Sequence, residues 1–302
     1  MKLFKIRSLL FILLSFSLIF SCDARKPIKT LLITGQNNHN WQVSHVVLKQ
    51  ILENSGRFTV DFAISPAHGQ DMSSFVLDFT PYQLVVLDYN GDAWPKETND
   101  RFLEFVKNGG GVVVYHAADN AFASWPEYNQ IIALGGWDRR NEKSGPYVYW
   151  SDGKLIKDSS AGSGGSHGDQ HEYVMNRRNT ENPIMRGMPL KWRHAKDELY
   201  DHMRGPGDIV DCLYTAYAEK SLRGSGREEP LIFTVEYGAG RIFHTMLGHC
   251  GKSIEDNPAM QCTGFQVTLL RGAEWAATGK VTQKIPADFP TENQCTYRKD
   301  YK

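Results

Sequence analysis

The sequence predicts a doubly wound α/β domain, and three observations carry that reading. Continuous apolar runs of strand length recur at residues 29–34 (KTLLIT), 82–89 (YQLVVLDY) and 112–116 (VVVYH). Segments with apolar residues at helical spacing lie between them. Glycine clusters punctuate the changes of period. Alternation of this kind is what parallel strands covered on both faces by crossover helices require.

Taken in order, residues 29–34 form a first strand, and 41–55 form a helix through Val43, Val46, Val47, Leu48, Ile51 and Leu52. Residues 58–64 and 82–89 read as strands, and 96–107 as a helix with Phe102, Leu103, Phe105 and Val106 on its apolar side. Gly109, Gly110 and Gly111 stop that helix and launch the strand at 112–116. From 136 to 206 the periodicity fades into a long polar excursion, weakest at 159–168 (SSAGSGGSHG). Strands are expected again at 209–218, 230–236 and 241–247, the last two joined by a hairpin turn at Tyr237-Gly238-Ala239-Gly240. A closing helix is expected at 265–277, followed by a surface tail over 280–302.

The N-terminus is a separate signal. Lys2, Lys5 and Arg7 precede an apolar run over residues 9–20, too short for a membrane span, which needs about 20 apolar residues. The run ends in Ser21-Cys22, similar to a bacterial lipobox apart from the bulky Phe20. The expectation is a signal peptide at 1–21, a lipid on Cys22, a tether at 22–28 and one domain at 29–279. That places the protein outside the cytoplasm, as a periplasmic or outer-membrane lipoprotein touching the membrane only through its anchor. A plain secretory signal with an incidental cysteine is the alternative.

The whole chain of 302 residues balances 34 basic against 34 acidic side chains, and losing Lys2, Lys5 and Arg7 leaves a net −3. Without a basic excess there is nothing to neutralise phosphates, so nucleic acid is excluded as a partner. The glycines between 162 and 165 precede no Lys-Ser/Thr and follow no strand, so no nucleotide is expected. No G-x-S-x-G surrounds His116, which disfavours a serine or cysteine nucleophile. Cys212, Cys250, Cys262 and Cys295 allow three disulfide pairings, which the sequence does not choose between, and Cys212 reads as a buried thiol.

In open parallel sheets, ligands bind beyond the carboxyl ends of the strands. Those ends carry Asn38, His39 and Trp41 after the first strand, Asn90 after the third, His116 and Asp119 after the fourth, and His249 after the last. His194, Asp197 and Glu198 form a further polar group, in which the adjacent carboxylates must face opposite ways along a strand. A carboxylate with a nearby imidazole suffices for general acid and base work. His167 and His171 have metal-ligand spacing only on a helix, which their neighbouring glycines oppose.

Five ordered blocks together resemble the ThuA-like (trehalose utilisation) family. They are LLITGQNNHNW, GGGVVVYHAADNAFASWPEY, NPIMRGMP leading to DELY, EYGAGRIFHTMLGHC, and a closing GAEWA. The resemblance implies a flavodoxin-like three-layer sandwich with a mainly parallel sheet. It implies kinship with class I glutamine amidotransferases, His116 standing where their cysteine would be. It also implies a link to carbohydrates, with ketosugars or oxidised disaccharides as suggested substrates. It singles out His39, His116, His249 and Glu198. One departure is Leu199, where the family pattern has an aromatic, so a sugar platform would fall to Trp41, Trp125 or Trp137.

The expectation is therefore an enzyme acting on a small carbohydrate. His116, His249 and Glu198 would perform acid/base chemistry, and Asn38, His39, Trp41, Asn90 and Asp119 would bind substrate. A divalent metal such as zinc is a candidate cofactor at His116, His249 and Glu198, with His167 and His171 as lesser ligands. The rival is a surface lipoprotein that binds carbohydrate without turnover.

Overall fold

The computed structural model describes residues 26–178, 181–253 and 255–299. The expected signal peptide and Cys22 lie outside the described residues. Strands and helices alternate first: β1 (Ile28–Thr34), α1 (Trp41–Asn54), β2 (Phe58–Ile64), β3 (Leu84–Leu87), α2 (Lys96–Lys107), β4 (Gly111–Tyr115) and α3 (Pro126–Ile132). Six strands follow with no α-helix between them: β5 (Tyr147–Ser151), β6 (Lys154–Asp158), β7 (Ser166–His167), β8 (His171–Arg177), β9 (Lys191–Asp197) and β10 (Tyr200–Asp201). The chain closes with β11 (Asp211–Tyr217), β12 (Glu228–Tyr237), β13 (Gly240–Thr245), α4 (Pro258–Gln261) and α5 (Thr263–Thr278).

The main sheet runs β2-β1-β3-β4-β13-β12-β11-β8-β9, with the β5–β6 hairpin branching from β12. The four pairings from β2 to β13 are parallel and all others are antiparallel. The expected mainly parallel sheet thus holds for one half, and the whole is a mixed eleven-stranded sheet. The reason is the connections. Parallel neighbours need a crossover of a dozen or more residues, which α1 and α2 supply, whereas β12 turns directly into β13 through Gly238 and must return antiparallel.

Every residue of β3 and β4 is buried, as strands covered on both faces must be. Helix α5 lies on β4 and β13 and also touches α1. At Gly272 it approaches so closely that a Cβ would sit 2.3 Å from the Phe243 ring. Trp94, Phe102, Trp125 and Tyr128 bring α2 and α3 into one aromatic cluster, with Phe122 between them.

Three local differences from the sequence reading have physical causes. The segment 136–206 holds six strands, and its first hairpin turns on Asp152-Gly153, both left-handed (φ 49° and 79°). That Asp-Gly pair is itself a hairpin signal. The third strand shortens to Leu84–Leu87, because the Gln83 side chain accepts the Lys29 N–H in place of a backbone carbonyl, although the Gln83 backbone still bonds Lys29 O and the Gly111 N–H. His116 leaves β4 and opens a 3₁₀ turn over His116–Asn120. Cys212, Cys250 and Cys262 are buried thiols, and among the described residues only Cys262 and Cys295 stand close to each other, with their sulfurs 3.6 Å apart.

Candidate active site

Four loops at the carboxyl ends of β1, β3, β4 and β13 converge, because those strands are parallel neighbours. The first two loops are tied by buried Asp88, which accepts from Thr34 Oγ1 (3.3 Å), Ser44 Oγ (2.6 Å) and Asn37 Nδ2 (3.1 Å). Burial pushes its carboxyl up to about 7, against the pull of those three donors. Asn37 in turn accepts the His39 N–H at 2.9 Å, which holds the imidazole over the sheet edge. Asn90 Nδ2 donates to Asn38 Oδ1 at 2.9 Å across the same seam.

At the end of β4, His116 has φ 45°, a conformation few residues other than glycine adopt. Its Nδ1–H donates to Met246 O at 2.7 Å, which aims Nε2 at the centre of the cluster. At the end of β13, Gly248 has φ 104°, and a Cβ there would meet the Tyr115 ring at 2.7 Å. Only glycine fits, and the turn it makes sends the Gly248 and His249 N–H groups to Asp197 at 2.7 and 3.0 Å. Asp197 also accepts from the Glu198 N–H and from His194 Nε2, each at 2.7 Å. The Asp197 carboxylate is a buried joint that sets Glu198 and His249 at once.

Glu198 is the centre. Its Oε2 stands 3.4 Å from His39 Nε2 and 3.6 Å from His116 Nε2. Its Oε1 stands 3.4 Å from His249 Nε2 and 3.7 Å from His167 Nε2, and accepts from Gln170 Nε2 at 3.2 Å. The Tyr200 hydroxyl lies 3.1 Å from His116 Nε2, and the two rings stack at 4.5 Å.

Burial alone would raise the Glu198 carboxyl, but the His116 and His39 imidazoles outweigh it and hold the group far below the usual carboxylate range. Burial lowers His39 to about 4, so that ring is neutral. His249 is lowered by burial and by His116. Burial also opposes charge on His116, yet Glu198 and Asp197 prevail and raise it. One imidazole pushed up and two pushed down around a carboxylate set an acid and a base side by side. The ligand atoms of His39, His116 and Glu198 also lie within 4.8 Å of one another, close enough to share a metal ion.

A 620 Å³ pocket opens over this cluster. Of the residues picked from sequence, Asn38, His39, Asn90, Glu198 and His249 line it, with His116 buried at its base. The lesser candidate His167 lines it too, as does Trp137, one of three platform candidates. Asp119 does not join them: it is fully buried and its Oδ2 lies 3.3 Å from His244 Nε2. Trp41 starts α1 and packs on His45 at 5.5 Å instead. Trp125 belongs to the aromatic cluster, and His171 bonds the Asp169 carbonyl through Nδ1, away from Glu198. Tyr200, Gln170 and Asn120 were not found from sequence. Tyr200 had a signal, since it lies two residues beyond Glu198 and an extended chain puts both on one side. A larger hollow of 840 Å³ beside Arg101 and Phe105 contains no imidazole.

A sequence model of the ThuA family, described as trehalose utilisation, matches residues 29–276. The chain belongs to the ThuA family. A ThuA-like protein from Parabacteroides merdae is 79% identical, with a TM-score of 0.91 over 92% of this chain and 99% of that one. A ThuA-like protein from Bacteroides uniformis shares the fold at 17% identity and a TM-score of 0.52, over 85% of this chain and 94% of that one. No match is found among curated proteins. Membership of the ThuA family links the protein to carbohydrate use.

Proposed function

We propose that the protein is an extracytoplasmic enzyme that transfers protons on an uncharged ketosugar or oxidised disaccharide in the Glu198 pocket. The observation that carries the reading is the convergence of His39, His116, His167 and His249 on one carboxylate at the foot of a pocket. The pocket lining contains no lysine or arginine, and it does contain Asp92 and Asp138. A phosphorylated sugar would meet like charge there with no lysine or arginine to offset it, and the charge on His116 is already balanced by Glu198, so the substrate is a neutral polyol. Asn38, Asn90 and Asn120 offer amides to hydroxyls, and Trp137 and Phe122 offer apolar ring faces.

In this reading His249, neutral near physiological pH, accepts a proton from the carbon beside the ketone. His116, protonated and held by Met246 O, donates its Nε2 proton toward the carbonyl oxygen as the enol forms. Glu198 holds both rings in place and offsets the charge on His116, and Tyr200 stacks beneath it. The test is turnover of a 3-keto-glycoside followed by NMR, with solvent deuterium entering the carbon beside the ketone. His116→Ala or His249→Ala should lower kcat by about 10²–10⁴-fold, the range of general acid/base catalysis. Full turnover by His116→Ala, or a ligand recovered unchanged and undeuterated after long incubation with the wild type, refutes the enzyme; the second result would favour a pure binder.

Export and the lipid on Cys22 belong to the same proposal. Among the described residues no helix is long and apolar enough to cross a membrane, and the proposed attachment is the lipid on Cys22. Metabolic labelling with an alkyne fatty acid should tag the wild type and spare Cys22→Ser; equal labelling of both would refute the anchor.

A further inference from the structure

We propose that His39 Nε2, His116 Nε2 and Glu198 Oε2 together bind one divalent transition-metal ion, zinc being the ion this donor set suits, with a further coordination position facing the pocket. The inference rests on the same pocket as the proposed function but sets the ion in place of the proton on His116 Nε2, and it stands on separate geometry.

The first argument is spacing. Charge-assisted N–H···O bonds settle at about 2.7–2.9 Å. Glu198 Oε2 instead stands 3.4 Å from His39 Nε2 and 3.6 Å from His116 Nε2. Ligand bonds of about 2.0–2.1 Å around a tetrahedral zinc ion put neighbouring donor atoms about 3.3 Å apart. The two separations from Glu198 Oε2 therefore match the edges of a coordination tetrahedron better than hydrogen bonds, and the His39 and His116 donors, which lie within 4.8 Å of each other, would draw together on the ion.

The second argument is the division of labour on the carboxylate. Oε1 faces Gln170, His249 and His167, and Oε2 faces His39 and His116. One oxygen is thus anchored from outside and the other is left for the three-atom cluster. The third argument is orientation. His116 donates Nδ1–H to Met246 O at 2.7 Å, which fixes the tautomer with its lone pair on Nε2, as the outer partners of metal-ligating histidines do. Asp197 performs the equivalent task for Glu198 by accepting its backbone N–H at 2.7 Å. Two imidazoles and one carboxylate are a donor set of catalytic zinc sites, which keep a position open for water or substrate.

This assignment changes the set expected from sequence, with His39 in place of His249. His249 approaches the other carboxylate oxygen and falls outside the three atoms that lie within 4.8 Å of one another, so it serves the substrate side. The Tyr200 hydroxyl, 3.1 Å from His116 Nε2, must give up that contact when the ion binds. With the ion bound, the positive charge that His116 otherwise carries as a proton is supplied at the same place, next to where a ketone oxygen would sit.

The experiment uses the whole mature protein, stripped with a chelator and titrated with Zn²⁺ against a chromophoric competitor. A parallel titration with Co²⁺ reports coordination geometry through its visible bands. One equivalent should bind, with the intense bands of a four-coordinate cobalt site. Loss of an outer partner alone weakens such sites about 10–100-fold. Removing a ligand in His39→Ala or Glu198→Ala should therefore weaken binding at least about 100-fold, while His249→Ala changes it less than about tenfold. Circular dichroism and the thermal midpoint establish that each variant is folded; if Glu198→Ala is not, the half-buried His39 carries the test. A folded wild type that takes up neither ion at micromolar concentration overturns the proposal, as does a His249→Ala protein that loses as much affinity as His39→Ala. No sugar enters the measurement, so the two readings fail separately. Metal uptake without turnover would sink the ketosugar reading alone, and turnover by a wild type that takes up neither ion would sink this one alone.

Discussion

Replacing Asp197 with asparagine should cost about 3–5 kcal/mol of stability and most of the activity, although residue 197 does not line the pocket. The carboxylate is fully buried and accepts four bonds: Oδ1 from the Glu198 and His249 N–H groups, and Oδ2 from the Gly248 N–H and His194 Nε2. An asparagine keeps the first pair by leaving its oxygen in place, and its amide nitrogen then faces two donors. His194 can change tautomer and accept, but the Gly248 N–H cannot. One buried backbone donor left without a partner costs about 1–3 kcal/mol. The two bonds that survive drop from charged to neutral acceptors, about 1 kcal/mol each. The sum agrees with the cost of breaking a buried ion pair, about 3–5 kcal/mol. Gly248 and His249 should then drift from Glu198, and a misplacement near 1 Å lowers catalysis about 10²-fold. Urea unfolding followed by tryptophan fluorescence measures the first effect, and kcat/KM on the ketosugar measures the second. A variant whose stability lies within about 0.5 kcal/mol of the wild type would refute the assignment of Asp197 as the joint of the site.

Three further outcomes follow from particular residues. Glu229 is buried and pushed by burial up to about 7, against the Ser225 hydroxyl that donates to it. The folded state therefore holds its proton to higher pH than the unfolded one, so the stability this group lends is complete below the ordinary carboxylate range and is lost as pH rises through 7. Glu229→Gln should remove up to about 3 kcal/mol of the decline between pH 5 and pH 8, and parallel stability curves for the two proteins would contradict this. Gly272→Ala should lower stability by about 1–3 kcal/mol through overpacking on Phe243, read as a fall in thermal midpoint; an unchanged midpoint would mean that α5 can retreat at no cost. Trp137→Ala should raise KM by up to about tenfold and leave kcat nearly unchanged, because the ring lies in the pocket wall and touches Tyr200, not the Glu198 carboxylate; a loss confined to kcat would remove it as a sugar platform.

The parallel half of the fold was legible because its signals are local: unbroken runs such as VVVY at residues 112–115 and helical spacing in 41–55 name their own structure. Strands β5 to β10 were not, since several are short or half-exposed and their apolar residues are sparse, and the Asp152-Gly153 turn was the one local clue. The same division runs through the site. His39, His116 and His249 follow strand ends that parallel topology must align, so the sequence points to them together. Glu198 and His167 arrive from the antiparallel half, and nothing local says that β9 and β7 end over the same edge. Asp119 misled for a related reason: it sits three residues past His116, and the 3₁₀ turn rotates it inward to His244.

The strained and buried features around Glu198 bear on whether the pocket only holds its ligand. A residue other than glycine kept at φ 45° costs about 1–3 kcal/mol, and such costs persist where surrounding structure enforces them. His116 bears that cost while buried, in a ring with His39 and His249, whose pKa values burial and then His116 itself lower, and beside carboxylates that raise its own. A sugar binder gains little from this arrangement, because amides and aromatic faces recognise hydroxyls and ring faces without any titrating group, and the pocket rim already has them in Asn38, Asn90 and Trp137. What the ring adds is a pair of groups whose proton affinities are pushed apart within a few ångströms of one carboxylate. Moving His116 to an ordinary φ would relieve the strain and turn Nε2 away from Glu198, so the backbone cost and the chemistry are the same feature. Alanine at 116 should accordingly lower kcat about 10²–10⁴-fold while the Asn38 and Trp137 rim still binds sugar, a separation of affinity from rate that a pure binder cannot show.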